Sequence, residues 1–205
     1  MSAYTADELG AIFVGALTEV VSKVTGFSFT VMNSERDAGS RDSGHCYAND
    51  KHAALDWPKS LSGEFCVGSG ELRVESGEFS GASALVLNED FVGDFVGAMN
   101  LNSKKSGMLF ISADERDMRV FCSYMIGVAV DDVTMEDITD VLCELVNMTA
   151  GNAKALLSDS DYMYSLSSPF ALCGNDLSLI FKKRANVISK VLGNGDISIR
   201  LRIVY

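Results

Sequence analysis

Asp140, Glu144, Asn147 and Gly151 follow one another at three- and four-residue spacing in a tract, Thr134 to Leu157, that reads as helix. At roughly 100° of turn per residue the four fall within about 60° of each other and make one polar stripe. Ile138, Val141, Leu142, Leu145, Met148, Thr149 and Leu156 gather on the opposite side, the apolar face expected of a helix that lies on a core. The stripe carries two kinds of chemistry. The carboxamide of Asn147 accepts and donates hydrogen bonds without titrating or becoming a nucleophile, which suits it to holding a water molecule. The carboxylate of Glu144, one turn earlier, is suited to pairing with a cation on a partner. Both groups point outward, where a partner can receive them.

The rest of the chain must supply the platform. Thr134 and Asp137 have capping-box spacing, with Asp in place of the preferred Glu or Gln, and Thr5 and Glu8 repeat that spacing at the start of the chain. After Glu8, Leu9, Ile12, Phe13, Ala16, Leu17, Val20, Val21 and Val24 recur at helical period until Gly26. Phe27 to Met32 reads as a strand. Residues 33 to 62, rich in Gly, Ser, Asp and Asn, read as a long polar loop or insertion. Short strand-like runs follow at Glu64–Val67, Glu71–Glu75 and Ala82–Leu87, and Asp90–Met99 has the look of a short helix. Gly107–Ser112 reads as a strand and Ala113 to Ile126 as a helix in which Met118, Phe121, Cys122 and Met125 share a side. The repeated strand-helix order hints at an internal repeat, which ordinary β-α architecture explains without duplication. Tyr162–Cys173, Asp176–Lys183 and Asp196–Val204 read as strands separated by Gly- and Asn-containing turns. The expectation is a single α+β domain over residues 1–205, with an antiparallel sheet and two long helices packed on one face.

Composition narrows the function. A chain of 205 residues with 47% apolar content can bury a full core. Its net charge of −11 argues against nucleic acid or an anionic membrane as the main partner, since both draw on Lys/Arg clusters. The basic run Lys182-Lys183-Arg184 reads as a solvated sheet edge. Cys46, Cys66, Cys122, Cys143 and Cys173 include no C-x-x-C pair, so reduced thiols are expected, with Cys122 and Cys143 as small core residues. Asp7 and Glu8 stand where an export signal would be basic, and no apolar run approaches a membrane span. A cytoplasmic protein is expected.

Other catalytic patterns are weak. His45, Cys46 and His52 lack a fourth ligand at metal-site spacing, so no metal site is expected. A Ser or Cys nucleophile would need one of those histidines, and no nucleophile-elbow sequence is present. Gly68-Ser69-Gly70 lacks the third Gly of a dinucleotide fingerprint, and there is no Walker-type loop. Asn147-Met148-Thr149 matches a glycosylation acceptor only formally, because it lies within a helix.

The order Asp140, three residues, Glu144, two residues, Asn147, then Gly151-Asn152-Ala153-Lys154, with Pro169 22 residues after Asn147, resembles the CheX/CheC/FliY family of chemotaxis phosphatases. These remove the phosphoryl group from the response regulator CheY. The resemblance is convincing from about Gly107 to Phe170. It implies that Asn147 orients the water attacking an aspartyl phosphate and that Glu144 pairs with a lysine of the regulator's active site. Asp140 and Gly151 are then partner-binding, Gly151 keeping the helix surface low for a close backbone. Asn152 and Pro169 are structural parts of the motif, Pro169 rigidifying the strand beneath the helix. The implied partner is a phosphorylated CheY-like receiver domain, which brings its own Mg²⁺, so no cofactor of this chain's own is implied. The implied assembly is a homodimer.

Two departures from the family pattern matter. Many members have Ser-Leu-Pro-Thr where this chain has Ser167-Ser168-Pro169-Phe170, which changes the local surface. CheC-type members carry two Glu-x2-Asn helices, whereas one is present here, and this favours the single-site CheX type. The alternative reading is a non-catalytic module of the same fold that binds a receiver domain or another chemotaxis or flagellar protein.

Overall fold

The computed structural model describes residues 4–32, 85–86, 94–104, 106–158, 160–174, 180–181 and 186–205, all within one compact unit. The polar segment 33–62, the runs Glu64–Val67 and Glu71–Glu75, both histidines, Cys46 and Cys66 lie outside the described residues. Along the chain come α1 (Ala6–Thr25), β1 (Thr30–Val31), β2 (Leu85–Val86), β3 (Phe95–Asn102), β4 (Gly107–Ala113) and α2 (Glu115–Ile126). A 3₁₀ turn (Val130–Asp132) leads into α3 (Met135–Leu156), followed by β5 (Ser165–Leu166), β6 (Phe170–Cys173), β7 (Ile180–Phe181), β8 (Val187–Gly193) and β9 (Ser198–Val204). The expected α+β class with an antiparallel sheet holds, and α2 joins the two long helices as a third. Seven strands form the main sheet in the order β1-β8-β9-β4-β3, with β5 and β6 both pairing the free edge of β3, while β2 pairs β7 separately. Every pairing is antiparallel.

Both capping boxes form. The Thr5 and Thr134 amides donate to Glu8 Oε2 and Asp137 Oδ2, each at 2.8 Å, and the Glu8 and Asp137 amides donate back to the threonine hydroxyls, each at 3.2 Å. The Thr5 amide and then its hydroxyl hold the Glu8 carboxyl below its ordinary range, and the Thr134 hydroxyl and then its amide do the same for Asp137. Helix α1 ends where Gly26 turns left-handed at φ 76° and its amide reaches back to the Ser22 carbonyl.

The core lies between the helices and the sheet. From α1 come Phe13, Leu17, Val20 and Val21, from α3 Ile138, Leu142, Leu145 and Val146, and from the sheet Met99, Leu109, Ile111, Leu201 and Ile203. Each such side chain contributes about 1.5–3 kcal/mol on leaving water. Helix α3 lies close against the sheet at Gly97 of β3. A methyl group there would come within 2.8 Å of both Leu142 Cγ and Val146 Cγ2, so the glycine sets how low α3 sits.

The expected helix at Asp90–Met99 is not formed, because Phe95 to Met99 belong to strand β3. Its far face explains the misreading. Val96, Ala98, Phe110 and Val204 form a second apolar cluster on the side of the sheet away from α3. Phe95 to Met99 are therefore buried on both faces and show no alternation of apolar with polar, the pattern by which a half-buried strand is recognised. The expected strand at Phe27–Met32 shortens to Thr30–Val31, and Tyr162–Cys173 divides into β5 and β6. Of Ala82–Leu87 and Asp176–Lys183, only the two-residue strands β2 and β7 fall among the described residues. Strand β8 was not expected from the sequence.

Candidate functional site

Asp140, Glu144 and Asn147 are exposed, and Gly151 is half-exposed, along the outer ridge of α3. The expected stripe is thus a surface of the folded protein. Glu136, exposed one turn before Asp140, extends it and was missed, although its four-residue spacing was visible. Asn152 is half-buried at the stripe's flank. On the inner side, Leu156 departs from expectation. It is exposed because it closes the last turn, and Leu157 takes the buried place beneath it.

Gly151 has no explanation inside its own fold. A methyl group there would meet nothing within 4 Å, yet a glycine within a helix costs about 0.5–1 kcal/mol relative to alanine. By contrast, Gly97 is required by the packing of this chain.

Four contacts fix the ridge in place. Thr134 and Asp137 cap its start. Arg119 of α2 donates through Nη1 to the Val133 carbonyl at 2.6 Å while its Nε donates to Glu115 at 2.7 Å, tying the entry of α3 to α2. Asp117 of α2, buried, accepts from the amide and hydroxyl of Ser198 at 2.8 and 3.1 Å, tying α2 to β9. Near the far end, the buried Tyr164 hydroxyl donates to the Ala150 carbonyl at 2.8 Å, and its ring stacks on Phe13 of α1 at 6.2 Å between centroids. Tyr164 and Arg119 were not recognised from the sequence, since nothing in local spacing marks a side chain that acts across elements.

Pro169 lies in the layer beneath the helix, at the break between β5 and β6. Ser167 closes the ladder just before it, its amide donating to the Asn100 carbonyl at 3.3 Å and its Oγ accepting from the Asn100 amide at 3.0 Å. Pro169, which has no amide proton, sits where pairing is interrupted. The aromatic that follows does not face α3. Phe170 pairs with Ala98, so it shares the side of the sheet away from the helix.

Cys122 is a core residue as expected, its thiol pushed up to about 12, by burial first and then by the charge of Asp137. Cys143 is only half-buried and flanks the stripe, which corrects its assignment to the core. Burial and then the Asp140 charge push its thiol upward, so it remains protonated at neutral pH. Among the described residues no group of three or more His, Cys, Asp or Glu could hold a metal, and no helix is long and apolar enough to cross a membrane. The site is thus an exposed helical ridge with an acid and an amide one turn apart, able to be received into a partner's cleft.

The architecture that presents this ridge is the CheC/CheX fold. The structure is similar to that of a CheC-like superfamily protein from Shewanella sp. PV-4 (TM-score 0.62, 16% identity, 98% of each chain covered). It is also similar to chemotaxis protein CheX from Vibrio vulnificus (TM-score 0.62, 14% identity, 98% of this chain and 99% of that one). A third similar structure comes from a CheX-CheY-BeF3-Mg²⁺ complex of Borrelia burgdorferi (TM-score 0.50, 17% identity, 61% of this chain and 84% of that one). The family model described as chemotaxis phosphatase CheX matches residues 95–190, from β3 through the whole motif helix into β8. The resemblance to the CheX/CheC family drawn from the Asp140 to Pro169 pattern therefore holds in sequence and in fold. A comparison with curated proteins gave no match.

Proposed function

We propose that this chain is a CheX-like phosphatase that inserts the Glu144/Asn147 ridge into a phosphorylated receiver domain and hastens hydrolysis of its aspartyl phosphate. The observation that carries the reading is the exposure of the acid and the amide on one helix face whose other face is locked into the core. The family match and the likeness to the CheX of the Borrelia CheX-CheY complex support it.

A receiver's own acyl phosphate is activated already, so the partner's task is to place a water in line with phosphorus. Asn147 does this by accepting a hydrogen bond from the water through Oδ1 and donating to the phosphoryl oxygens through Nδ2, with no change in its own protonation. Glu144 pairs with a receiver lysine and sets the depth and register of the inserted helix. Asp140 continues the acidic edge, and Gly151 lets the receiver backbone approach. Pro169 and Asn152 hold the motif's shape. Mg²⁺ belongs to the receiver, and the working unit is a homodimer in the cytoplasm.

The test is kinetic. Asn147→Ala removes the acceleration while the receiver still binds, and Glu144→Lys raises the receiver concentration needed for half-maximal rate. Binding of a receiver by the parent with an unchanged phosphate lifetime would instead identify a non-catalytic interaction module.

A further inference from the structure

One surface of the molecule is explained neither by the core nor by the catalytic ridge. Five of the eleven exposed large apolar side chains among the described residues, Tyr124, Ile126, Val128, Val130 and Met135, lie in the twelve residues from the last turn of α2 to the first residue of α3. Soluble proteins scatter such side chains singly and cluster them where a partner covers them. Ile126, Val128 and Val130 alternate along the connection, and Met135 opens α3 directly after it. Tyr124 is held rather than loose, its ring meeting Phe27 edge-on at 4.5 Å. A pre-positioned aromatic of this kind is the usual anchor of an interface.

Within the segment the charge has one sign, and Arg119, whose guanidinium reaches the Val133 carbonyl, is paired with Glu115. From Val120 to Ala153 the chain has no Lys, Arg or His, while it carries Asp131, Asp132, Glu136, Asp137, Asp140 and Glu144. Asp137 is engaged in the α3 cap, and the other five are exposed. The patch ends where the ridge begins in the chain: Glu136 follows Met135 and stands one turn before Asp140, on the ridge's own side of α3. At 1.5 Å per residue, Glu136 is about 12 Å from Glu144 and about 16 Å from Asn147. A specific interface covers about 800 Å² on each partner, a disc some 30 Å across. A partner centred on Glu144 therefore reaches the α2–α3 connection.

We propose that the connection, Tyr124 to Met135 with Asp131, Asp132 and Glu136, is a second docking surface for the same receiver domain, receiving an apolar surface ringed by Lys or Arg outside the receiver's phosphorylation site. The inference rests on the phosphatase reading for the identity of the partner. The surface selects and holds the receiver, and takes no part in the attack on phosphorus. Apolar contact at Ile126 and Val130 slows dissociation, while Asp131 and Asp132 speed encounter and make it dependent on salt.

The experiment compares the full chain with Ile126→Ser/Val130→Ser and with Asp131→Lys/Asp132→Lys, all at exposed positions, on receiver domains of the same genome phosphorylated with acetyl phosphate and Mg²⁺. The expected result is a KM raised about tenfold or more by either pair, as for loss of interface anchors, with kcat unchanged. The parental KM should rise with salt, and that of the Asp131→Lys/Asp132→Lys chain should rise less steeply, since Glu136, Asp140 and Glu144 remain. Parental KM values in both variants, with the parent active, would overturn the docking surface and leave the phosphatase reading standing. A parent that neither binds nor dephosphorylates any receiver would overturn both. Unchanged KM together with loss of self-association by Ile126→Ser/Val130→Ser would assign the patch to a second copy of this chain and overturn the proposal.

Discussion

The hydroxyl of Tyr164 donates to the backbone carbonyl of Ala150 at 2.8 Å, three residues beyond Asn147 on the helix that carries the proposed site. The same tyrosine lies five residues before Pro169, so this bond couples the two parts of the sequence motif that are distant along the chain. Its ring rests on Phe13, which places α1 in the same assembly.

Tyr164→Phe keeps the ring and removes the bond. The Ala150 carbonyl retains its place in the helix, so the expected loss is about 1 kcal/mol, read as a melting point about 2–4 °C lower for a chain of this size. Tyr164→Ala, which also empties the ring's site, costs about 3–5 kcal/mol. Equal effects of the two substitutions in urea unfolding would mean that the hydroxyl carries the whole contribution.

Gly97→Ala tests how closely α3 must lie on the sheet. The added methyl meets Leu142 and Val146 at 2.8 Å, and overpacking of this kind costs about 1–3 kcal/mol. The variant should unfold at lower denaturant and lose part of the proposed phosphatase rate, because the ridge is displaced as a body. Parental stability would show that α3 can move outward freely.

Gly151→Ala is expected to act in the opposite direction. It should stabilise the chain by about 0.5–1 kcal/mol, since alanine is the better helix former and the space is open, while weakening receiver binding. Gly15 on α1, also with open space around it, gives the matched control for stability. A gain in stability with unchanged affinity at Gly151 would remove this glycine from the partner-binding surface.

Thr149 faces inward from the motif helix, fully buried, and its hydroxyl has no hydrogen-bond partner among the described residues. A buried unsatisfied group carries a desolvation cost of about 1–3 kcal/mol. Thr149→Val, nearly the same shape without the oxygen, should therefore raise the unfolding midpoint. A destabilised Thr149→Val chain would show that the hydroxyl is satisfied in solution, by water or by a rotamer that reaches the helix backbone.

The candidate ridge was legible because its information is local. Asp140, Glu144, Asn147 and Gly151 need only helical spacing to share a face, and the Thr134 and Thr5 caps mark where the helices begin. Strand β3 was hidden for the opposite reason. Phe95 to Met99 are apolar on both sides, since α3 covers one face and the Val96, Ala98, Phe110 and Val204 cluster lies on the other, and the alternation that reveals a strand is erased. Leu156 looked like a core position because helical periodicity does not register where a helix ends. Cys143 looked apolar from its neighbours in sequence, yet stands at the edge of the stripe. Arg119, Asp117 and Tyr164 secure the ridge through partners 14 to 81 positions away, and such contacts leave no trace in spacing.

The central claim is that Asn147 positions a water on a receiver's aspartyl phosphate, and the most direct measurement is the phosphate lifetime of a cognate receiver domain with Mg²⁺ and catalytic amounts of this protein. The account predicts a shortened lifetime with the parent, and an unaccelerated one with Asn147→Ala, which should fold with parental stability because its side chain is exposed. Equal acceleration by the parent and Asn147→Ala would contradict it.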